Sequence, residues 1–267
     1  MKLFVLSDVH SFYEPMMAAL EKNGFDINNK DHHIVVCGDL FDRGPDANKV
    51  FTFAEAMSND NRLHYIWGNH EELLFDCVEE IRNHCGISEH HISNGTFDTI
   101  CQITGINKYD LAYGTYDRME FEEQMAPLLR FLTSNRFSFV EADDYVFVHG
   151  WIPCNKYSGK VDENWDSPDA NWHGARWING MQAWHVGARL EGKTIVCGHF
   201  HTSWGHSHLH QDRKEFPNKG RKDWQKSFEP FVDEGIIAID ACTAYTEFCN
   251  CITLEVKEIC VFYEKVL

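Results

Sequence analysis

The stretch IVVCGDLFDRG, residues 34–44, decides the fold. Its apolar opening, residues 34–37, predicts a short buried strand, and Gly38 then releases the backbone into a loop carrying Asp39, Asp42 and Arg43. Two carboxylates and a guanidinium held this close repel, attract and desolvate one another, which is costly unless a highly charged group sits among them. A metal pair holding a phosphate would satisfy the arrangement. One carboxylate can bridge two cations about 3.5–4 Å apart, and an arginine offers two parallel N–H donors to phosphate oxygens. A surface turn with an Asp–Arg ion pair is the alternative for these residues taken alone.

The same pattern, an apolar run that stops at metal-capable side chains, recurs on both sides. Residues 2–7 predict a first strand with Asp8 and His10 at its C-terminal end, where ligands gather in open α/β sheets. Residues 63–67 predict a third strand feeding Gly68-Asn69-His70-Glu71, and helical spacing in 13–23 and 47–57 fills the connections. Residues 136–141 and 144–148 predict a hairpin ending in His149-Gly150, and 194–197 predicts a buried strand ending in Gly198-His199-Phe200-His201. Between these, 75–130 has a helical pattern broken by glycines and predicts a cap or flank of two to four helices. Residues 162–183 are Trp-rich and irregular and contain Arg176. A polar insert over 203–230 precedes closing strands at 236–240, 251–256 and 258–263. No repeat or linker marks a boundary, so a single domain over 1–267 is expected.

A net charge of −17 over 267 residues disfavours extended binding to nucleic acid, whereas small phosphorylated substrates remain open because local cations can overcome a screened global field. No apolar run approaches the roughly 20 residues of a membrane span, and the N-terminal run meets Ser7 and Asp8, as a strand would and an export leader would not. Ten cysteines without C-x-x-C spacing predict reduced thiols and a cytoplasmic chain, with Cys249 and Cys251 on one face of a terminal strand. His206, His208 and His210 alternate and would share a face on an extended strand. A third metal site and ordinary loop histidines, the commoner case, both stand.

Together DVH (8–10), GDLFDRG (38–44), GNHE (68–71), HG (149–150) and GHFH (198–201) resemble the motifs of the calcineurin-like metallophosphoesterases. The intact GDxxDRG and GNHE resemble most the PPP-type branch, which includes serine/threonine protein phosphatases and symmetrical diadenosine tetraphosphatases. The resemblance covers residues 3–240 apart from 75–130 and 203–230. It implies an α/β fold, a sandwich of two mixed β-sheets flanked by helices, with a helical insert. It further implies Asp8, His10, Asp39 and His201 around one metal, and the shared Asp39 with Asn69, His149 and His199 around a second. His201 departs from many PPP-type enzymes and matches the GHxH of the wider superfamily. Imidazole and carboxylate suit Mn²⁺, with Fe or Zn²⁺ as alternatives, and the absence of Cys argues against a thiolate zinc site.

In the chemistry this implies, the metal pair activates a water for in-line attack on phosphorus. His70 is the general acid, held by Asp42, and Arg43 clamps the phosphoryl oxygens. Arg176, in ARWING, is a second clamp, with a structural stack between Trp172 and Trp177 as the alternative. The leading function is a phosphomonoesterase acting on phosphoserine or phosphothreonine proteins, and the alternative is a dinucleoside polyphosphate or other nucleotide phosphohydrolase. A non-catalytic metal-binding scaffold is a third reading, against which the retention of His70, Asp42 and Arg43 weighs. Residues 211–226 carry six Lys or Arg against three acids, and are expected to form a basic flap beside the site, with Trp204 or Trp224 as a stacking face.

Overall fold

A computed structural model describes residues 1–263. β1 (Lys2–Leu6), α1 (Tyr13–Lys22), β2 (His32–Cys37), α2 (Ala47–Asn59) and β3 (Leu63–Ile66) follow one another as the apolar runs and helical spacings require. The three strands are parallel, with Phe4 opposite Ile34 and Ile34 opposite Leu63. α3 (Asn69–Arg82), α4 (Glu89–Ser93), α5 (Thr96–Thr104), α6 (Lys108–Tyr113) and α7 (Arg118–Ser134) form the helical flank. β4 (Phe137–Ala142) and β5 (Tyr145–Phe147) pair as the hairpin. There follow α8 (Trp172–Arg176), α9 (Gly180–His185), β6 (Thr194–Cys197) and α10 (Thr202–Gly205). β7 (Phe231–Asp233), β8 (Ile236–Ala238), β9 (Ile252–Glu255) and β10 (Cys260–Tyr263) close the chain.

Among the described residues these strands hydrogen-bond into one mixed sheet of order β7-β8-β6-β5-β4-β3-β2-β1-β9, with β10 on β4. The junction is thin, since β3 meets β4 through the single pair Ile66 and Phe137. Strand alternation gives the sheet two apolar faces. Phe4, Leu6, Ile34 and Val36 face the helices of the first half, whereas Leu3, Val5, Val35 and Cys37 point inward. They meet Phe147, Val196 and Ile239 from the second half, so the two halves press face to face across a shared apolar layer. Each fully buried Leu or Phe there contributes about 1.5–3 kcal/mol. The expected α/β sandwich is thus present as one sheet folded on itself. A third layer puts Trp151, Trp172 and Trp184 on the outer face of β5 and β6.

β5, β6 and β8 are mutually parallel, as β1, β2 and β3 are. Bonds between the two sets, His149 Nδ1 to the Cys37 carbonyl (2.8 Å) and His199 N–H to Asp8 Oδ2 (2.9 Å), show that their C-terminal ends share one edge.

Three local expectations change. The start of the insert is helical: α10 runs into a π-helical turn, His206–His210, and a short 3₁₀ turn covers Trp224–Phe228. Alternating histidines therefore do not share a face there. Trp204 stacks on His208 and Trp224 packs on Phe228 and Tyr245, so neither indole is an open stacking face. Cys249 and Cys251 precede β9 instead of lying on it, because Thr243–Thr246 and the loop after it consume the chain first. The ten cysteines are free, and no described helix is long and apolar enough to cross a membrane.

Candidate metal centre and active site

The candidate residues stand at or just past strand ends, and six of them sit on backbone that ordinary residues avoid. Asp8, His10, Asp39, Asp42, Arg43 and His199 all have positive φ, between 51° and 75°. Non-glycine residues rarely enter that region, and they stay only where their surroundings over-determine them. Here the fixings are explicit. His10 and Ser11 N–H bond to the carbonyls of Asp39 and Leu40 at 3.0 and 2.9 Å, zipping the first loop to the second. Glu71 accepts three amides, from Gly68 (2.7 Å), Asp39 (3.0 Å) and Leu40 (3.2 Å), and so ties the second loop to the third. Burial, with the Asp39 carboxylate, pushes Glu71 up to about 7. Gly68 is required by this closeness, since a Cβ there would collide with the Asp39 carboxylate. Gly38, at φ +79°, turns the chain out of β2 directly beneath the His149 ring.

Asp39 occupies the middle. Its Oδ2 lies 3.8 Å from His10 Nε2, and its Oδ1 lies 3.4 Å from His149 Nε2. Two clusters of potential ligand atoms result, His10–Asp39–His70 and Asp39–His149–His199, and they share only Asp39. Burial would raise Asp39, but His149, His70, His10 and His199 outweigh it and hold the carboxyl below its usual range. Asp8 Oδ1 is 4.0 Å from His10 Nε2. Burial, then the Asp240 and Asp39 carboxylates, raise Asp8 well above its ordinary value.

The donor set fits a pair of cations. His149 Nδ1 donates to the Cys37 carbonyl (2.8 Å), which leaves Nε2 a bare lone pair facing Asn69 Oδ1 (2.9 Å) and Asp39 Oδ1. Three acceptors converging with no proton between them call for a positive ion. His10 repeats the arrangement, its Nδ1 bonded to the Phe41 carbonyl (3.0 Å) and its Nε2 turned to the carboxylates. A backbone carbonyl on the far nitrogen fixes the tautomer that a ligand histidine needs. Burial lowers His10, His149 and His201, and takes His199 down to about 3, so these imidazoles are neutral and available.

His70 differs from them. Its Nδ1 is 2.7 Å from Asp42 Oδ2 and its Nε2 is 3.1 Å from Arg43 Nη2. Burial works against charge on this ring, but Asp39 and Asp42 overcome it and raise its pKa. Asp42 is itself held from the helical flank: Thr96 Oγ1 donates to its Oδ2 (2.7 Å), and its own N–H bonds Thr99 Oγ1 (3.0 Å).

Two sequence-derived candidates stand differently. His201 turns to Ser203 Oγ (2.9 Å) and to Glu215 Oε1 (3.6 Å), with Phe216 against its ring. Arg176 is buried, donating from Nη1 to Glu72 and from Nε to the Trp67 carbonyl (3.2 Å), which ties α8 to α3. The remaining nine gather at the strand ends. Sequence reasoning missed Thr96, Thr99, the bracing by Glu71, and Asp240. Asp240 follows β8 at the same edge, is buried, and is raised to about 6 by burial. The rule that singled out Asp8 and Asp39, a polar residue at the end of an apolar strand, applies to Asp240 as well.

A family model described as calcineurin-like phosphoesterase matches residues 1–203. The chain is 24% identical over 168 residues to an asymmetrical bis(5'-nucleosyl)-tetraphosphatase of Bacillus velezensis, covering 60% of this chain and 61% of the relative. It is 32% identical over 94 residues to a symmetrical bis(5'-nucleosyl)-tetraphosphatase of Buchnera aphidicola, covering 35% of this chain and 31% of that one. It thus spans about three fifths of the first relative's length and under a third of the second's. Among solved structures, a cold-active protein-tyrosine phosphatase of a Shewanella species superposes with a TM-score of 0.51 at 16% identity, over 95% of this chain and 75% of that one, a likeness of fold. With that match spanning most of its length, this chain belongs to the calcineurin-like phosphoesterase family.

Proposed function

We propose that the chain is a dinuclear-metal phosphoester hydrolase of PPP type. The observation that carries this is the pair of ligand clusters sharing Asp39, with a carboxylate-held histidine and an arginine beside them. Asp8, His10, Asp39 and, after a turn away from Glu215, His201 would hold one cation. Asp39, Asn69, His149 and His199 would hold the other. When bound, two such ions polarise the phosphoryl group and supply an activated water nucleophile. The donor set suits Mn²⁺, with Fe or Zn²⁺ also compatible.

The chain's own side chains supply the rest. Asp42 fixes the His70 ring, whose Nε2 accepts from Arg43 Nη2 here; with Arg43 turned to the phosphoryl oxygens, the protonated Nε2 would deliver its proton to the leaving oxygen. Arg43, exposed at the rim, binds phosphoryl oxygens and offsets the charge that grows on them in the transition state. Arg176, preoriented by Glu72 and close enough to His149 to oppose its protonation, adds a second cation from α8.

Phosphoserine or phosphothreonine protein is the leading substrate class. Dinucleoside polyphosphate is the second, favoured by the names of the two tetraphosphatase relatives. A panel of a phosphoserine peptide, diadenosine tetraphosphate and a chromogenic bis-ester on Mn²⁺-loaded protein separates them. Turnover of the peptide with little of the tetraphosphate supports the first class, and the reverse supports the second. No hydrolysis of any of the three, with both metals bound, would leave the scaffold reading.

A further inference from the structure

The base of the insert holds a second collection of metal-ligating groups, away from the strand ends. In the π-helical turn His206–His210 the wider winding brings positions i and i+4 to one side, and the two end rings meet edge-on with centroids 6.0 Å apart. Gln211, at φ +56°, then reverses the chain, and the Asp212 N–H returns to the His206 carbonyl at 3.2 Å. That reversal carries Asp212 Oδ1 to 3.7 Å from His206 Nδ1. One ligand atom from each of His206, His210 and Asp212 lies within 4.8 Å of the other two. A tetrahedral zinc site separates its ligand atoms by about 3.3 Å, so small turns of His210 and Asp212, both at the surface, would close it.

A second observation points to a ligand. His206 is 4% exposed, and its Nδ1 is buried without a hydrogen-bond partner. Its Nε2 donates to the Glu229 carbonyl at 3.1 Å, so the orphaned nitrogen carries the lone pair. Leaving such an acceptor dry is unfavourable, and a cation would satisfy it. His210 has the support that metal-bound histidines have, a carboxylate on one ring nitrogen, here Asp233 Oδ2 at 3.1 Å. The charges agree: Asp212, Asp233 and Glu229 surround the cluster, against the Arg213 guanidinium, which lies 3.6 Å from Asp212 and 3.1 Å from Glu229. His208, between the two, belongs elsewhere, with its Nδ1 on the Trp204 carbonyl (3.1 Å) and its ring stacked on that indole.

We propose that His206, His210 and Asp212 form a divalent-cation site of the zinc class, independent of the strand-end centre, that clamps the base of the insert. Two imidazoles and one carboxylate, with the exposed side left for water, suit Zn²⁺ better than the oxygen-seeking Mg²⁺ or Ca²⁺. Three residues past the site Glu215 faces both His201 (3.6 Å) and His208 (3.7 Å), so the clamp also sets how the insert meets the rim of the strand-end centre.

The test is Zn²⁺ stoichiometry and affinity in the metal-stripped full chain, by equilibrium dialysis with elemental analysis. Limited proteolysis within 211–226 is followed in parallel. Wild type should bind one Zn²⁺ more than His210→Ala or Asp212→Asn, or bind that ion at least about tenfold more tightly. Zn²⁺ should slow cleavage of the insert in wild type and not in these two variants. His208→Ala should behave as wild type in both respects. Both informative substitutions are at the surface, so loss of fold does not confuse them, and a His206→Gln chain that folds should match them. Equal stoichiometry, affinity and protection in wild type and the two variants would overturn the site, as would loss of the same ion in His208→Ala.

Discussion

The strand-end centre and the base of the insert use the same imidazoles and carboxylates in opposite ways. At the strand ends the candidate ligands arrive from the ends of β1, β2, β3, β5 and β6, and bonds such as His149 to Cys37 and His199 to Asp8 close over 112 and 191 residues of chain. The geometry there is a product of the whole folded sheet, and six residues are kept at positive φ to achieve it. At the insert three ligands fall within residues 206–212 and one helical turn with a reversal brings them together. A site assembled by the sheet should tolerate local disturbance and fail completely when its shared ligand changes. A site assembled by one turn should be removable without cost to the fold or to small-substrate chemistry.

The largest effect separating the two belongs to Asp39. Asp39→Asn should lower hydrolysis of a small chromogenic monoester by about 10³-fold or more, because metal assistance supplies several kcal/mol and each decade is worth about 1.36 kcal/mol. His210→Ala, by contrast, should leave that rate within about twofold of wild type. Equal losses in steady-state assays of the two variants would erase the distinction.

Next is His70→Asn, expected to keep its strand-end metals and to lose about 10²–10⁴ in kcat. The loss should shrink for a nitrophenyl ester, whose leaving group needs no proton, relative to an alkyl phosphate. Identical losses on both esters would remove His70 from the acid role. A metal count that falls with the substitution would place the ring among the ligands, as its cluster with His10 and Asp39 allows.

A smaller effect is expected where the helical flank meets the centre. Thr96→Val removes the hydroxyl that holds Asp42 Oδ2, at about 1 kcal/mol, which corresponds to roughly fivefold in kcat. The loss should be of the same kind as that of His70→Asn, dependent on the leaving group and silent in metal content. A Thr96→Val enzyme with wild-type kcat on alkyl phosphates would show that the flank only covers the site.

The smallest effect concerns the arm of the insert that follows the π turn. Replacing 211–226 by a Gly/Ser linker should leave the small monoester within a few-fold of wild type, raise KM for the larger substrate and flatten its salt dependence. The structure narrows the basis for this. Lys219 is spent on the Tyr245 carbonyl and ring and Arg213 on Glu229, whereas Lys214, Arg221 and Lys222 are exposed. If the linker chain handles every substrate as the parent does, recognition must be sought on the helical flank.

What the sequence disclosed follows from how local each signal is. An apolar run, a glycine and a polar cluster are adjacent in the chain, so β2 with Asp39, Asp42 and Arg43 could be read directly, and the same reading found Asp8, Asn69, His149 and His199. Support from a distance could not be read. Thr96 reaches Asp42 across 54 residues, and nothing in TFDTICQIT announces that its hydroxyls point at a loop. Glu71 was visible as part of GNHE, but its three amide partners exist only once two loops are folded side by side. In the insert, alternation would place His206, His208 and His210 on one face only if the chain were extended, whereas the chain winds into a π turn and brings the outer two together instead. The Ile66–Phe137 junction likewise depends on tertiary packing: it joins the two halves of the expected sandwich into one hydrogen-bonded sheet.

The central claim is that one carboxylate serves both metals, and counting them tests it most directly. Bound Mn²⁺ per chain should be measured by elemental analysis in a His210→Ala background, which removes the insert cluster, and compared after adding His149→Ala or Asp39→Asn. The account predicts two ions in the background chain, one with His149→Ala and none with Asp39→Asn at the same free metal concentration. Retention of one or both ions by a folded Asp39→Asn chain would contradict it.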